Sequence, residues 1–290
     1  MTLLLFVEQV LNGLQLGVML FLMAAGMTLV FGIMGLINLA HGSLYMIGAY
    51  VAATVQQATG SFLVGLLVAL PVAALVGMAV EMIALRRLYP RDHLDQVLAT
   101  FGLILFFNEL VKIVWGPQAY FMAMPDMLSG SVDIIPGIPY PAYRLAIVAT
   151  GLAVAILLYL LITRTRIGML IRAGATNREM VNALGVNVDR LYTIVFGLGA
   201  ALAALAGIMA GPILALEVGM GESILILTFV VVVIGGIGSV RGAFVAALLV
   251  GIADTFGRVL LPPAIAEMTI YILMAAILVW RPQGLFPAHA

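Results

Sequence analysis

The chain has 290 residues, of which 64% are hydrophobic and 9% charged, and its formal net charge is +0. A soluble domain is roughly half apolar and a quarter charged; no water-solvated fold could bury this excess, so lipid must be the solvent for most of the surface. The balanced charge offers nothing to nucleic acid or an anionic surface, and the absence of cysteine excludes disulfides, thiol catalysis and Cys-ligated metal.

A helix needs about 20 apolar residues to cross roughly 30 Å of hydrocarbon. In chain order, that criterion predicts segments at 14–35, 38–57, 62–85, 96–115, 143–163, 190–211, 223–240, 243–261 and 266–281. The first residues lack the basic region and small-residue cleavage site of a signal peptide and read as mature sequence. Glu8, Gln9 and Asn12 place that start along the interface. The seventh segment is the weakest, because its apolar run breaks into Gly235-Gly-Ile-Gly-Ser-Val-Arg-Gly242. It reads either as a span or as a re-entrant or broken helix, which needs protein or a water cavity around its backbone. The predicted fold is therefore an all-α polytopic helical bundle with eight or nine transmembrane segments, in one domain spanning 1–290.

Sidedness follows from the basic residues. One side collects Arg86, Arg87, Arg91, Arg164, Arg166, Arg172, Arg178, Arg190, Arg241 and Arg281, the other only Lys112, Arg144 and Arg258. This puts the C-terminus in the cytoplasm and, if all nine segments cross, the N-terminus outside. The loop 116–142, with five prolines, Asp126, Asp133 and no Lys or Arg, is predicted to be an ordered external segment.

Between the fifth and sixth segments, 164–190 is predicted to be a cytoplasmic loop holding a short amphipathic helix. Thr176 and Glu179 have the spacing of a capping box, and Gly185 supplies a left-handed stop. Met180, Val181 and Leu184 form the apolar face, and Asn177, Arg178, Glu179 and Asn182 the polar one. Such a helix either rests on lipid headgroups or is a peg for a partner's groove.

Polar residues inside spans are functional candidates. Asn38, His41 and Ser43 fall within six positions of apolar sequence. Asn38 reads as a cap of the second span at the cytoplasmic interface with a satisfied His41 one turn in, or the cluster belongs to a solute pathway or gate. Glu81 and Glu109 lie near span ends and read as interfacial. Asp254 and Arg258 form an i,i+4 pair. Glu217 and Glu222 flank the outer end of the seventh segment and suit a cationic group or a partner protein. Gly199, Ala203, Gly207 and Gly211 recur every fourth residue, a stripe that serves internal packing or a subunit interface. No G-x-x-x-x-G-K-[ST] is present, so the chain has no P-loop, and no H-E-x-x-H or paired mid-span aspartates point to an intramembrane enzyme. An ion-coupled secondary transporter would place acidic residues in mid-span, whereas those here lie mostly near span ends.

Several stretches together resemble the permeases of branched-chain amino acid ABC transporters, specifically the H-type of the two paired subunits. They are Leu36-Ile-Asn38 followed by Ala40-His-Gly-Ser-Leu-Tyr-Met-Ile-Gly-Ala-Tyr50, the loop from Arg172-Ala-Gly-Ala-Thr-Asn177 to Ala183-Leu-Gly-Val186, the run Gly199 to Gly207, the element Gly235 to Ala243, and Arg281-Pro-Gln-Gly-Leu-Phe286. The likeness covers essentially the whole chain, in order. It implies a bacterial inner-membrane permease subunit that imports leucine, isoleucine and valine, with no cofactor of its own. It also implies a homologous permease partner, paralogous or identical, two separate ATPase subunits that bind ATP and Mg, and an external solute-binding protein. The same architecture serves urea, short amides and other small organic solutes. The resemblance assigns ATPase coupling to Arg172, Ala173, Gly174, Ala175, Thr176, Asn177, Glu179, Met180, Leu184 and Gly185, although Ala173-Gly-Ala175 stands where other ABC importers carry Glu-Ala-Ala.

Overall fold

The structure is a computed structural model that describes residues 3–135 and 138–286. Its helices, in chain order, are α1 (Leu3–Met34), α2 (His41–Thr59), α3 (Phe62–Ile83), α4 (His93–Trp115), α5 (Ala142–Arg164), α6 (Arg166–Thr176), α7 (Arg178–Ala183), α8 (Val188–Ala210), α9 (Met220–Gly235), α10 (Val240–Leu260), α11 (Pro263–Ala266) and α12 (Thr269–Trp280). Nine of them fall where hydropathy placed segments. Among the described residues, seven stretches are long and apolar enough to cross a membrane: α1, α3, α4, α5, α8, α10 and the α11–α12 pair. The chain is a multi-pass membrane protein.

The remaining two, α2 and α9, explain the uncertain count. At about 1.5 Å per residue, the 16 residues of α9 cover about 24 Å, short of a full crossing. Helix α2 has 19 residues but is less apolar, and most of it is enclosed by protein. A helix wrapped by other helices need not match lipid. Each follows a non-helical stretch, 35–40 before α2 and 211–219 before α9, so the break in the seventh segment lies before its helix as well as after it.

The interior is built on α1 and α8, whose most apolar stretches are 83% and 78% buried, against 22% or less for α3, α4, α5 and α11–α12. The packing is a repeat: α1 packs on α10 as α8 packs on α3, α2 on α8 as α9 on α1, and α2 on α3 as α9 on α10. Exchanging α1 with α8, α2 with α9 and α3 with α10 maps each contact onto another. The end of α1 lies beside the start of α8, with Ile33 and Leu191 both packed on Gly174, so the halves run in opposite directions, an inverted repeat. Small residues let the backbones close where the hydrophobic effect gives no drive: Gly13 and Gly17 meet Ala247 and Gly251 between α1 and α10, and Gly77 meets Ala200 between α3 and α8.

The predicted external segment 116–142 contains a hairpin, β1 (Ser131–Ile135) and β2 (Ile138–Pro141), paired antiparallel. This is a small departure from an all-helical chain; Pro136 and Gly137 lie outside the described residues, as do Met1, Thr2 and 287–290. The hairpin is tied to α1, where Asn12 Oδ1 accepts from Tyr140 (3.1 Å) and Arg144 (2.6 Å). The start of α1, with Glu8, Gln9 and Asn12, continues without a break into the rest of the 32-residue helix. Upstream, Tyr120 and Leu216 exchange backbone hydrogen bonds of 2.9 and 2.8 Å, pinning 211–219 to the loop 116–142.

Glu81 is not an interfacial carboxylate. It is fully buried and accepts from Arg86 Nε and Nη2 (3.2 and 3.0 Å), Tyr89 (2.8 Å) and Thr193 (2.7 Å). It thereby clasps α3 to α8 and to the 3-10 turn Leu85–Leu88. Burial, then the Glu81 charge, push the Tyr89 hydroxyl well above its ordinary value, so it remains a donor. Glu81→Ala would leave the Tyr89 hydroxyl without its carboxylate acceptor and Arg86 without its ion pair, although Arg86 Nη2 still donates to Thr193 at 2.7 Å. Because the Arg86 side chain is 35% exposed and can rehydrate, the expected loss is about 2 kcal/mol rather than the full cost of a broken buried pair. It is read as a lower midpoint of thermal unfolding in detergent; an unchanged midpoint would mean the clasp is dispensable.

Candidate functional site

The polar cluster of Asn38, His41 and Ser43 lies where the two halves meet. Gly199 is midway along α8, and the His41 ring lies beside it: a Cβ on Gly26 of α1 would be 3.0 Å from His41 Nε2 and 2.6 Å from the Gly199 carbonyl oxygen. Helix α2 therefore starts at mid-length of the bundle, not at its cytoplasmic end as the sequence suggested. Its cap position is Ala40, with no side-chain cap. Asn38 instead folds back on its own turn, Oδ1 accepting from the Ala40 N–H at 3.0 Å, which corrects its reading as a helix cap. Nor is His41 satisfied: it is 1% exposed, with the Met23 backbone alongside, yet neither ring nitrogen makes a hydrogen bond of good geometry.

The start of α9 arrives at the same depth from the other half. A Cβ on Gly42 would lie 2.3 Å from the Gly221 carbonyl oxygen, and one on Gly221 would lie 2.0 Å from that of Gly42. The reciprocal contact brings two helix N-termini face to face. The α9 cap position is Gly219, again without a side-chain cap, and a left-handed φ of +86° there is one that glycine adopts readily. First-turn N–H groups point toward this junction, and each helix dipole presents its positive end.

Glu222 follows Gly221 and is exposed. It belongs to this mid-depth junction rather than to the outer end of the segment. Asn108 of α4 donates to its Oε1 at 2.6 Å. Ser43, Met46, Ile104 and Leu39 complete a narrow crevice with them. The structure thus joins Ser43 to Glu222 and adds Asn108, which sequence reasoning missed; its sequence signal is an amide at the end of the apolar run 101–107 of α4, beside Glu109. Glu217 does not join them: it is exposed in the loop 211–219. Of the small-residue stripe, Gly199 faces Gly26 of α1, Gly207 the Tyr45 backbone of α2 and Gly211 the Met122 side chain, while Ala203 is fully buried. All four serve contacts inside the chain.

The loop 164–190 forms two helices where one was expected. Thr176 ends α6, its hydroxyl donating to the Arg172 carbonyl at 3.0 Å. The cap of α7 is Asn177, whose Oδ1 accepts from the Met180 N–H at 2.9 Å, so the Thr176–Glu179 capping box is corrected by one residue. Arg172, Ala173, Gly174 and Ala175 belong to α6; Gly174 packs on Ile33 and Leu191, and Arg172 donates to the Ile162 carbonyl. The α7 face divides. Val181 is buried, whereas Met180 is 61% and Leu184 78% exposed, with Glu179 exposed beside them. Gly185 follows in a left-handed turn, φ +85°. A cleft of about 600 Å³ runs beside α7, bordered by Tyr89, Arg178, Glu179, Asp189 and Tyr192.

No solved structure matches the chain. Residues 9–278 match the family model described as "Branched-chain amino acid transport system / permease component". The high-affinity branched-chain amino acid transport system permease protein BraD of Pseudomonas aeruginosa is 31% identical over 294 residues, covering 97% of this chain and 95% of that protein. LivH of Escherichia coli K12, described in the same words, is 31% identical over 300 residues with the same coverage. The corresponding permease LivM of Salmonella typhimurium is 27% identical, covering 92% of this chain and 67% of that protein. With the family model spanning nearly the whole fold and H-type relatives matching end to end, the chain belongs to the branched-chain amino acid transport system permease family.

Proposed function

We propose that the chain is the H-type membrane subunit of a binding-protein-dependent ABC importer of leucine, isoleucine and valine. It would form the solute pathway with a homologous permease, in the bacterial inner membrane. ATP and Mg would be bound by two separate ATPase subunits, and an external solute-binding protein would deliver the solute. The observation that carries this reading is Glu222, an exposed carboxylate at mid-depth of an apolar bundle. A charge there cannot face hydrocarbon without large cost, so its side of the molecule must face a water-accessible pathway closed by the partner subunit. The chemistry suits a zwitterionic amino acid. The uncapped starts of α2 and α9 would favour its carboxylate, Glu222 its ammonium, and Leu39 and Met46 an aliphatic side chain. The crevice is too narrow to hold a solute by itself, so the solute would lie along its open rim.

The loops carrying Tyr89, α6, α7 and Ser239–Arg241 border common clefts at one end of the bundle. This end holds the arginine excess and is the cytoplasmic one in this reading. There α7, held by Val181 and presenting Met180 and Leu184, is the peg on which an ATPase would push. Met180→Glu is expected to lower solute-stimulated ATP hydrolysis of the assembled transporter about tenfold, the loss of one anchor residue at an interface, with membrane insertion unchanged. The decisive experiment is reconstitution. The full assembly in proteoliposomes should take up leucine only with ATP and the binding protein; uptake by this chain alone under an ion gradient would overturn the proposal.

A further inference from the structure

A second feature lies on helices that do not border the Glu222 crevice. Over α1, between α5 and α10, runs a groove of about 800 Å³ at the arginine-rich end. Its floor is apolar, with Phe21 against Phe244 edge-on at 5.0 Å and Ala155 opposite. Two guanidiniums mark its mouth: Arg172, donating to the Ile162 carbonyl, and Arg241, 5.3 Å above the Tyr159 ring. Each is held by one contact and keeps further N–H donors free of those contacts. Among the described residues, no carboxylate borders the groove. The Thr28 hydroxyl lies along it, fully buried and without a hydrogen-bond partner among the described residues.

We infer that this groove is a site for an anionic phospholipid of the cytoplasmic leaflet, its phosphate between Arg172 and Arg241 and an acyl chain along the Phe21–Phe244–Ala155 floor. Charge complementarity selects the occupant: two cations without a carboxylate attract an anion, and the adjoining long apolar floor requires that anion to carry hydrocarbon. Basic pockets between helices at the cytoplasmic face recognise anionic headgroups by this combination. The leaflet assignment rests on the orientation in the proposed function; the lipid class does not. Arg172 also begins the path from α6 to α7, so an occupied groove would brace the helix that leads to the ATPase-facing peg.

The test reads lipid retention, not transport, and so stands apart from the test of function. The assembled transporter is purified, exchanged into nanodiscs of phosphatidylglycerol and phosphatidylcholine, released, and its bound lipid measured by native mass spectrometry. Wild type is expected to retain phosphatidylglycerol over phosphatidylcholine by about tenfold or more, since each arginine near an anionic headgroup contributes substantially. Arg172→Ala with Arg241→Ala should bring that ratio close to one. Ala155→Phe, which fills the floor without touching the charges, should lower retention of both lipids. Equal phosphatidylglycerol retention in wild type and the double variant would overturn the proposal. So would displacement of the lipid by millimolar inorganic phosphate, which would mark a soluble-anion site, or an assembly in which a partner subunit fills the groove and no lipid is retained.

Discussion

Glu222→Gln is expected to reduce ATP-driven leucine uptake by one to two orders of magnitude while the transporter still assembles. Glutamine keeps the shape and the hydrogen bond from Asn108 (2.6 Å) but removes the charge that would meet an ammonium group. In a desolvated pathway, losing one partner of a close charge pair costs roughly 2–3 kcal/mol, and each 1.4 kcal/mol is a factor of ten. Asn108→Ala should have a smaller effect, about 1 kcal/mol, because it removes only a neutral donor that orients the carboxylate. The measurement is uptake in proteoliposomes beside basal ATPase activity. If Glu222→Gln transports at the wild-type rate, the crevice is not the pathway; if it loses assembly, Glu222 is a structural group at the subunit boundary.

The second large effect concerns the contact that creates this crevice. Gly221→Ala or Gly42→Ala should prevent correct folding of the junction, because the new Cβ would stand 2.0 or 2.3 Å from a backbone carbonyl oxygen of the facing helix. Overpacking a core usually costs 1–3 kcal/mol because neighbouring side chains shift. Here the neighbour is backbone in both directions, and relief requires separating α2 from α9, so about 3 kcal/mol is expected. Gly102→Ala, with nothing within 4 Å of its Cβ, is the matched control on α4. The readout is the yield of monodisperse protein together with its thermal midpoint. Normal behaviour of both junction variants would mean that the two helix starts are not held in contact.

These two predictions concern residues of very different legibility. Glu222 was noticed in the sequence as a polar residue in apolar surroundings, but it was placed at the outer end of a span. Hydropathy reports where a segment is apolar, not how deep its helix begins. Helix α9 begins at mid-depth because 211–219 is a non-helical run of turns, pinned at Leu216 to Tyr120, which lies 96 residues earlier in the chain. Glu222 does lie at the end of its helix, in the first turn of α9; the depth of that end is what the sequence does not show. The capping box failed more locally: Thr176 and Asn177 are both capable caps, and α6 runs one residue too far for the first to serve.

The sequence by itself determined the solvent, the positions of nine helical segments, the basic end of the molecule and the glycine stop after α7. All of these depend on composition or on neighbours within a few residues, where local sterics and transfer to lipid dominate. Tertiary structure alone decided the inverted pairing of the halves and the meeting of Gly42 with Gly221. It also decided the burial of Glu81 under Thr193, 112 positions away, and the contact of Asn108 with Glu222, 114 positions away. Such contacts depend on how closely distant backbones approach. That is set by small residues on both partners at once, a property that no single stretch of the chain displays.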